Sequence, residues 1–263
     1  MLDQTGNSEA VRQRTLAALK ILDSEPEGTF DAVVRAARRI FDCRTAYVAL
    51  IDADRQWFKA RENFEPSELP RECSICATAV VENREIVIEN LQTHPVYGEK
   101  PEIAARPQLQ FFATIPVMGP VMNGESVPIG TLCVIDNKPH QPSDEELDEL
   151  RQLARLIETL FRVRLESVTA QAALAERKQL FEDLHRTQRQ FEIAEQMGQI
   201  GHWRLDLATK ELFWSPQTIA IHAIDNPTTA HLQNGLDYFP EHDRPRIADA
   251  VQACIEHGTP YDL

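Results

Sequence analysis

Cys73 and Cys76, two thiols three positions apart, are the first residues of this sequence whose spacing could do chemistry. Cys-x-x-Cys is the spacing of a redox dithiol or of half a zinc site, because two sulfurs so placed can meet one atom. A closed zinc site needs four ligands, and the chain has no second pair; the nearest histidine, His94, lies eighteen residues beyond Cys76. The competing reading makes Cys76 a small apolar residue inside a helix. Cys133 adds a third thiol within an apolar run. Five cysteines, odd in number and mostly in such runs, suit reduced thiols in a cytoplasm rather than a disulfide framework. The expectation is thiols that are unpaired and free of metal. His185 falls in Asp183-Leu184-His185-Arg186-Thr187, without the acidic-then-Arg-Thr-Pro context of a phosphoacceptor helix. No glycine-rich nucleotide loop or kinase metal motif is present, so no catalytic residue and no cofactor is assigned.

Composition narrows the classes further. With 43% hydrophobic and 26% charged residues, the chain is of ordinary globular type. A net charge of −14 argues against nucleic acid or an anionic membrane as partner. No run of about 18 apolar residues offers a membrane span, and the polar N-terminus does not resemble a secretory signal. Its 263 residues leave room for two domains and a connector.

The connector must position everything else. Residues 143–195 contain neither Gly nor Pro. Counting in sevens from Leu153 gives Leu160, Ser167, Leu174, Phe181 and Gln188. The companion series is Leu156, Val163, Ala170, Arg177, Leu184 and Phe191. Nine of these twelve positions are apolar, in one unbroken register. That is the 3.5-residue period of a coiled coil. Ser143 and Glu146 form a capping box, and Asp144, Glu145 and Glu146 sit where the helix dipole favours acids. Such a helix is roughly 75 Å long. Its narrow stripe predicts a parallel homodimer seam, with a helix packed on its own domains as the rival reading. Ser167, Arg177 and Gln188 interrupt the seam, either to leave its pairing adjustable or to set dimer orientation.

Before the connector, 3.6-residue periodicity predicts helices over 8–22 and 30–41. Alternation then predicts strands over 46–51 and 56–60, with a turn at 52–54. A helix over 74–81, a strand over 85–89, a short helix over 101–105 and strands over 109–117 and 127–135 follow. Helices outside an antiparallel sheet make an α+β domain.

The segments Ile21-Leu22-Asp23-Ser24-Glu25-Pro26-Glu27, Asp54-Arg55-Gln56-Trp57-Phe58-Lys59, Pro70 to Ala77 and Gly130 to Asp136 resemble, in order, a bacterial GAF domain. The resemblance implies a sensory fold that often dimerises, relays signals through flanking helices and holds a small-molecule ligand. Trp57, Cys76, Phe111 and Phe112 are large or soft groups on elements bordering the usual pocket, although alternation sends some into the core instead. A bilin photosensor of this fold would need a Cys-His pair, which is absent. A thiol-based methionine sulfoxide reductase is conceivable from Cys73, Cys76 and Cys133, but leaves the connector unexplained.

After the connector, Gly198 and Gly201 end the helix, and residues 201–207 and 211–215 read as a hairpin. Ser215-Pro216 caps a short helix, Asn226-Pro227 breaks the chain, and a last helix spans 245–257 before Gly258. The Ile-Gly-His-Trp entry, Leu-Phe-Trp-Ser and Phe239-Pro240-Glu241-His242-Asp243-Arg244 resemble the first half of a PAS domain, with Phe239 where that family usually has His. Three further strands would lie beyond Leu263, and the two present would expose an apolar face. No cysteine stands in a flavin-adduct motif, and His202, His222 and His231 suit surface or packing roles. The expected organisation is a GAF domain over 1–142, a signalling coiled coil over 143–195 and a partial PAS domain over 196–263. By similarity of arrangement, the expected whole is a cytoplasmic dimeric sensor region feeding a C-terminal output domain. A histidine kinase comes first as that output and a diguanylate cyclase second; a scaffold that binds nothing is the structural rival.

Overall fold

A computed structural model describes residues 3–99, 101–104, 106–121, 124–206, 208–209, 211–223 and 236–260. The chain divides into two compact units, residues 1–174 and 175–263.

The first unit is built on a six-stranded antiparallel sheet in the order β3-β2-β1-β6-β5-β4. Its strands are β1 (Thr45–Ile51), β2 (Arg55–Glu62), β3 (Glu68–Pro70), β4 (Ile86–Ile88), β5 (Phe111–Met118) and β6 (Pro128–Asp136). β3 is absent from the sequence expectation. It is three residues long, pairs with β2 at the edge of the sheet and ends in Pro70, which alternation cannot reveal but an edge strand tolerates. Side chains alternate across the sheet. From β1, Ala46, Val48 and Leu50 enter one core, while Tyr47, Ala49 and Ile51 enter the other. Gly130 pairs with Leu50, and a Cβ there would lie 2.2 Å from the Ala49 carbonyl oxygen. Only glycine lets β6 approach β1 at that point.

The first core is covered by α1 (Asp3–Leu19), α2 (Gly28–Ile40) and the start of α5 (Asp144–Gly198). Residues Phe30, Val33, Val34 and Ala37 make the apolar face of α2. The second core lies beneath α3 (Ile75–Glu82) and α4 (Pro101–Ala104). Ser74 caps α3 by accepting a 2.9 Å hydrogen bond from the Ala77 amide, and Asn83 ends it at φ 46°.

The capping box forms as expected: the Ser143 amide donates to Glu146 at 2.7 Å, and the Glu146 amide donates to Ser143 Oγ at 3.2 Å. The stripe that follows differs from the heptad reading. Leu150, Ala154, Ile157 and Phe161 are buried in the first core, with Leu153 and Leu160 only half-buried beside them. Leu156 and Val163 are exposed, at 46% and 55%. Over this stretch the helix serves its own domain, as the rival reading had it. A 3.6-residue helix carries two neighbouring apolar stripes here, and the sheet takes the one that starts at Leu150. Further along, Leu174, Phe181, Leu184 and Phe191 are all more than half exposed. No described helix is long and apolar enough to cross a membrane.

In the second unit α5 runs to Gly198, past the expected end at Glu195. The terminating residue is not a glycine: Gln199 takes φ 50°, and the Ile200 amide closes back on the Glu195 carbonyl at 3.1 Å. Strands β7 (Trp203–Leu205) and β8 (Leu212–Trp214) pair as a hairpin, shorter than expected. Ser215 caps α6 (Pro216–Ile221) with Pro216 in its first turn, and α7 (Arg244–His257) ends at Gly258, φ 68°. Trp203 and Phe213 are nearly half exposed on the hairpin. Asn226, Pro227 and His231 lie outside the described residues.

An ion cluster ties α1 to the β1–β2 turn. Arg71 donates to both Glu9 oxygens, at 3.0 and 3.1 Å, and to the Ala53 carbonyl at 3.0 Å. Burial pushes the Glu9 carboxyl up, but hydrogen bonds from Arg71, Arg12 and Gln13 outweigh it and hold the carboxyl down, from 4.5 to about 2. A depressed carboxyl stabilises the fold fully above its unfolded value and loses that contribution as pH falls through the folded one. Glu9→Gln should therefore cost about 1 kcal/mol at neutral pH, allowing for solvent screening of a partly exposed group. It should also flatten the fall in Tm between about pH 4.5 and pH 2. Thermal melts across that range check it; an unchanged acid slope would show the cluster contributes nothing.

Candidate functional site

Beneath α3 the second core is not purely apolar. Tyr47 on β1, Cys133 on β6 and Thr114 on β5 stand in one line of register across three strands. Cys76 on α3 comes down onto that line. Its sulfur lies 3.6 Å from the Tyr47 hydroxyl and accepts from the Thr114 hydroxyl at 3.8 Å. Thr131, two residues before Cys133, adds a fully buried hydroxyl with no hydrogen-bond partner among the described residues. Tyr47, Phe58 and Phe64 flank the group, their ring centroids 4.8–5.2 Å apart. The result is a patch of two thiols, three hydroxyls and three aromatic rings under one short helix.

The two thiols differ in acidity. Burial raises Cys76, yet Cys133 and the surrounding Thr131, Tyr47 and Thr114 hydroxyls override it and bring the group down to about 7. Burial, and then Cys76 itself, push Cys133 well above the ordinary thiol range. Tyr47 is driven up as well, by burial and by the two sulfurs.

Outside α3, an open cleft of about 680 Å³ is lined by Asp54, Arg71, Glu72, Ser74, Ala77 and Thr78, among others. Ser74 links the two regions: it lines the cleft and hydrogen-bonds the buried Gln56 side chain. Cys73 is exposed whereas Cys76 is buried, so the Cys-x-x-Cys spacing does not bring two sulfurs to one atom. Among the described residues no group of three His, Cys, Asp or Glu side chains could hold a metal ion.

The four residues picked out as ligand contacts do not line one surface. Cys76 and Phe112 belong to the α3 side of the sheet. Trp57 and Phe111 belong to the opposite core, Trp57 near the Lys59 ammonium and Phe111 stacked on Phe41. Strand alternation requires the split, since Phe111 and Phe112 are adjacent on β5 and must point apart. Sequence reasoning does not find Tyr47, Thr114 and Thr131. Their signal is a hydroxyl at α3-facing positions of otherwise apolar strands, legible only once the register is known.

Residues 25–160, just over half of the chain, match the family model of the GAF domain, and the chain belongs to that family. Over 150 residues it is 27% identical to a cyclic di-GMP phosphodiesterase of Pseudomonas aeruginosa, an alignment covering 57% of this chain. The chain spans about a quarter (25%) of that curated relative's length. Among solved structures it is similar to a type II free methionine-R-sulfoxide reductase from Thermoplasma acidophilum. That likeness has 20% identity, covers 51% of this chain and 90% of that one, and has a TM-score of 0.41. It is also similar to the GAF domain of an Acinetobacter phosphoenolpyruvate-protein phosphotransferase, with 14% identity, 66% and 99% coverage and a TM-score of 0.43.

Two substitutions separate packing from polarity in the two cores. Phe111→Ala should cost about 3–5 kcal/mol, the usual range for emptying a buried aromatic site. Thr131→Val removes an unpartnered hydroxyl and should leave stability unchanged or raise it by about 1 kcal/mol. Urea unfolding checks both; a loss above about 1 kcal/mol for Thr131→Val would mean that hydroxyl is bonded.

Proposed function

We propose that this chain is the sensory and signal-transmission region of a dimeric signalling protein, in which the GAF domain reports its state through α5. One observation carries the reading: the first turns of α5 are part of the GAF core, and the same unbroken helix goes on to present an apolar seam. Leu150, Ala154, Ile157 and Phe161 are buried in the domain. Arg164, at the end of that stretch, donates to the Leu19 and Lys20 carbonyls at 2.8 and 2.7 Å and pairs with Glu27. Any shift of the domain's helices is thereby passed to α5 directly.

The seam is completed by a second copy of the chain in a parallel coiled coil. Leu174, Phe181, Leu184 and Phe191 hold the heptad register, with Leu156 and Val163 exposed ahead of them and Leu153 and Leu160 at the border of the domain. Repeated at seven residues, these positions meet their own copies layer by layer in a parallel pair. Ser167, Arg177 and Gln188 weaken three layers and leave the pairing adjustable, so a ligand with different affinity for two pairings can bias it. The input is a small molecule taken on the α3 side of the sheet, where Cys76 and Phe112 lie. Trp57 and Phe111 act from the other core by packing.

The output lies in a further domain. By similarity of arrangement, with the PAS-like hairpin following α5, a histidine kinase remains the first reading. The aligned relative gives cyclic di-GMP turnover a place beside it. Five free thiols suit a reducing compartment and support a cytoplasmic reading. The reductase reading has less support, because Cys73 is exposed while Cys76 and Cys133 are buried.

Sedimentation equilibrium tests the seam. The chain should run as a dimer, and Leu174→Glu with Phe181→Glu should give monomers. A monomeric parent, or a variant that stays dimeric, would remove the seam from the account. Arg177→Leu with Gln188→Leu replaces two polar layers by buried leucines at roughly 1.5–3 kcal/mol per side chain. The dimer should then melt higher, and the response of the full-length protein should be locked. A stabilised dimer with unchanged response would make these residues register markers only.

A further inference from the structure

The buried thiol patch on the α3 side of the sheet has a composition unusual for a core. A filler role beneath α3 would be met by Ala or Val at positions 76 and 133. Instead two sulfurs are enclosed, at 1% and 0% exposure, among three hydroxyls. Cys76 stands against Tyr47 and Thr114, and these are the residues that flank Cys133 in the ladder on either side. The Cys76 sulfur therefore sits over the Cys133 position, with hydroxyl donors converging on it.

We propose that Cys76 and Cys133 form a dithiol that a hydroperoxide closes to an intramolecular disulfide, pinning α3 to β6. The step balances. Cys76, as thiolate, attacks one oxygen of hydrogen peroxide; the O–O bond breaks, and hydroxide leaves and takes up the thiol proton as water. Cys76 is then a sulfenic acid. The Cys133 sulfur attacks the Cys76 sulfur, the S–O bond breaks, an S–S bond forms, and the second water leaves with the Cys133 proton. Two thiols and one peroxide give one disulfide and two waters.

Three features support this order. Cys76 has the Tyr47 and Thr114 hydroxyls on its sulfur, an arrangement that favours its thiolate as the attacking group. The Tyr47, Thr114 and Thr131 hydroxyls can donate to the developing charge, and Thr131 has a donor to spare. The route in is short, since Ser74, Ala77 and Thr78, on the turn that carries Cys76, line the open cleft. Two of the remaining thiols serve as controls. Cys73 is exposed, whereas Cys43 lies in the opposite core, where burial and then Asp136 push its thiol up to about 11. β6 is the last strand before α5, so a cross-link there acts on the part of the domain that leads into the signalling helix.

Peptide mapping of the whole chain tests the proposal. Folded protein is treated with hydrogen peroxide, alkylated in denaturant and digested without reductant. The expected product is a linked pair of peptides containing Cys76 and Cys133, two hydrogens lighter than the free pair and released by dithiothreitol, with Cys43 fully alkylated. In Cys133→Ser the oxidised species should stop at Cys76 as a sulfenic acid that dimedone traps; in Cys76→Ser, Cys133 should give no adduct. If either variant fails to fold by circular dichroism, the peptide map of the parent chain by itself separates the two outcomes. Cys76 and Cys133 still alkylatable after Cys73 has been oxidised, or a link from Cys76 to any other cysteine, would overturn the proposal.

Discussion

A charge that is wholly buried has to be paired, and in this domain that charge is Lys59. Its side chain has no exposed surface, and its ammonium lies 2.6 Å from Glu27 and 2.7 Å from both Ser24 Oγ and the Glu25 carbonyl. Leaving such a group unpartnered would cost several kcal/mol, so the loop carrying Ser24, Glu25 and Glu27 is fixed where it is. Glu27 is shared with Arg164 of α5, and Arg164 also closes the carbonyl end of α1. One carboxylate thus ties β2, the α1–α2 loop and the long helix together. The charge reaches this place because Lys59 is the extra residue of a bulge: Val48 pairs with Ala60 and Ala49 with Phe58, leaving Lys59 unopposed.

That tie fixes the first part of the long helix to the domain. The stripe from Leu150 to Phe161 is committed to the domain, and its loss would open the first core. Leu165 still packs against the first core, and further along Leu174, Phe181, Leu184 and Phe191 are exposed. The second unit shows the same economy at its entrance, where His202 pairs with the buried Glu195 of α5 and Thr218 donates to the His202 carbonyl at 2.8 Å.

The parts of this fold that depend on local chemistry could be read from residues. Ser143 with Glu146, Ser74 before α3, Ser215 before Pro216 and Gly258 after α7 all act as caps, because each satisfies backbone groups within a few positions. The α+β class and its antiparallel sheet followed from period and turn residues. What could not be read depended on partners distant in the chain. Leu150 and Ala154 look no more buried in sequence than Leu153 and Leu156; only the sheet decides which stripe it takes. Trp57 and Phe112 both suggest a pocket, and only the strand register separates them onto opposite faces. The hydroxyls around Cys76 come from three strands and make sense only once those strands are side by side.

On the proposed function, α5 leaves the domain as half of a parallel, in-register pair. Single cysteines placed in turn along residues 170–191 of a Cys73→Ser background, each oxidised and run on a non-reducing gel, test it most directly. Identical positions on the seam of such a pair face each other, and those on the outside do not. Cross-linked dimer should peak with a seven-residue recurrence at Leu174, Phe181, Leu184 and Phe191, and fall away between them. Yields that are flat along the helix, or that peak on a different face, would contradict it.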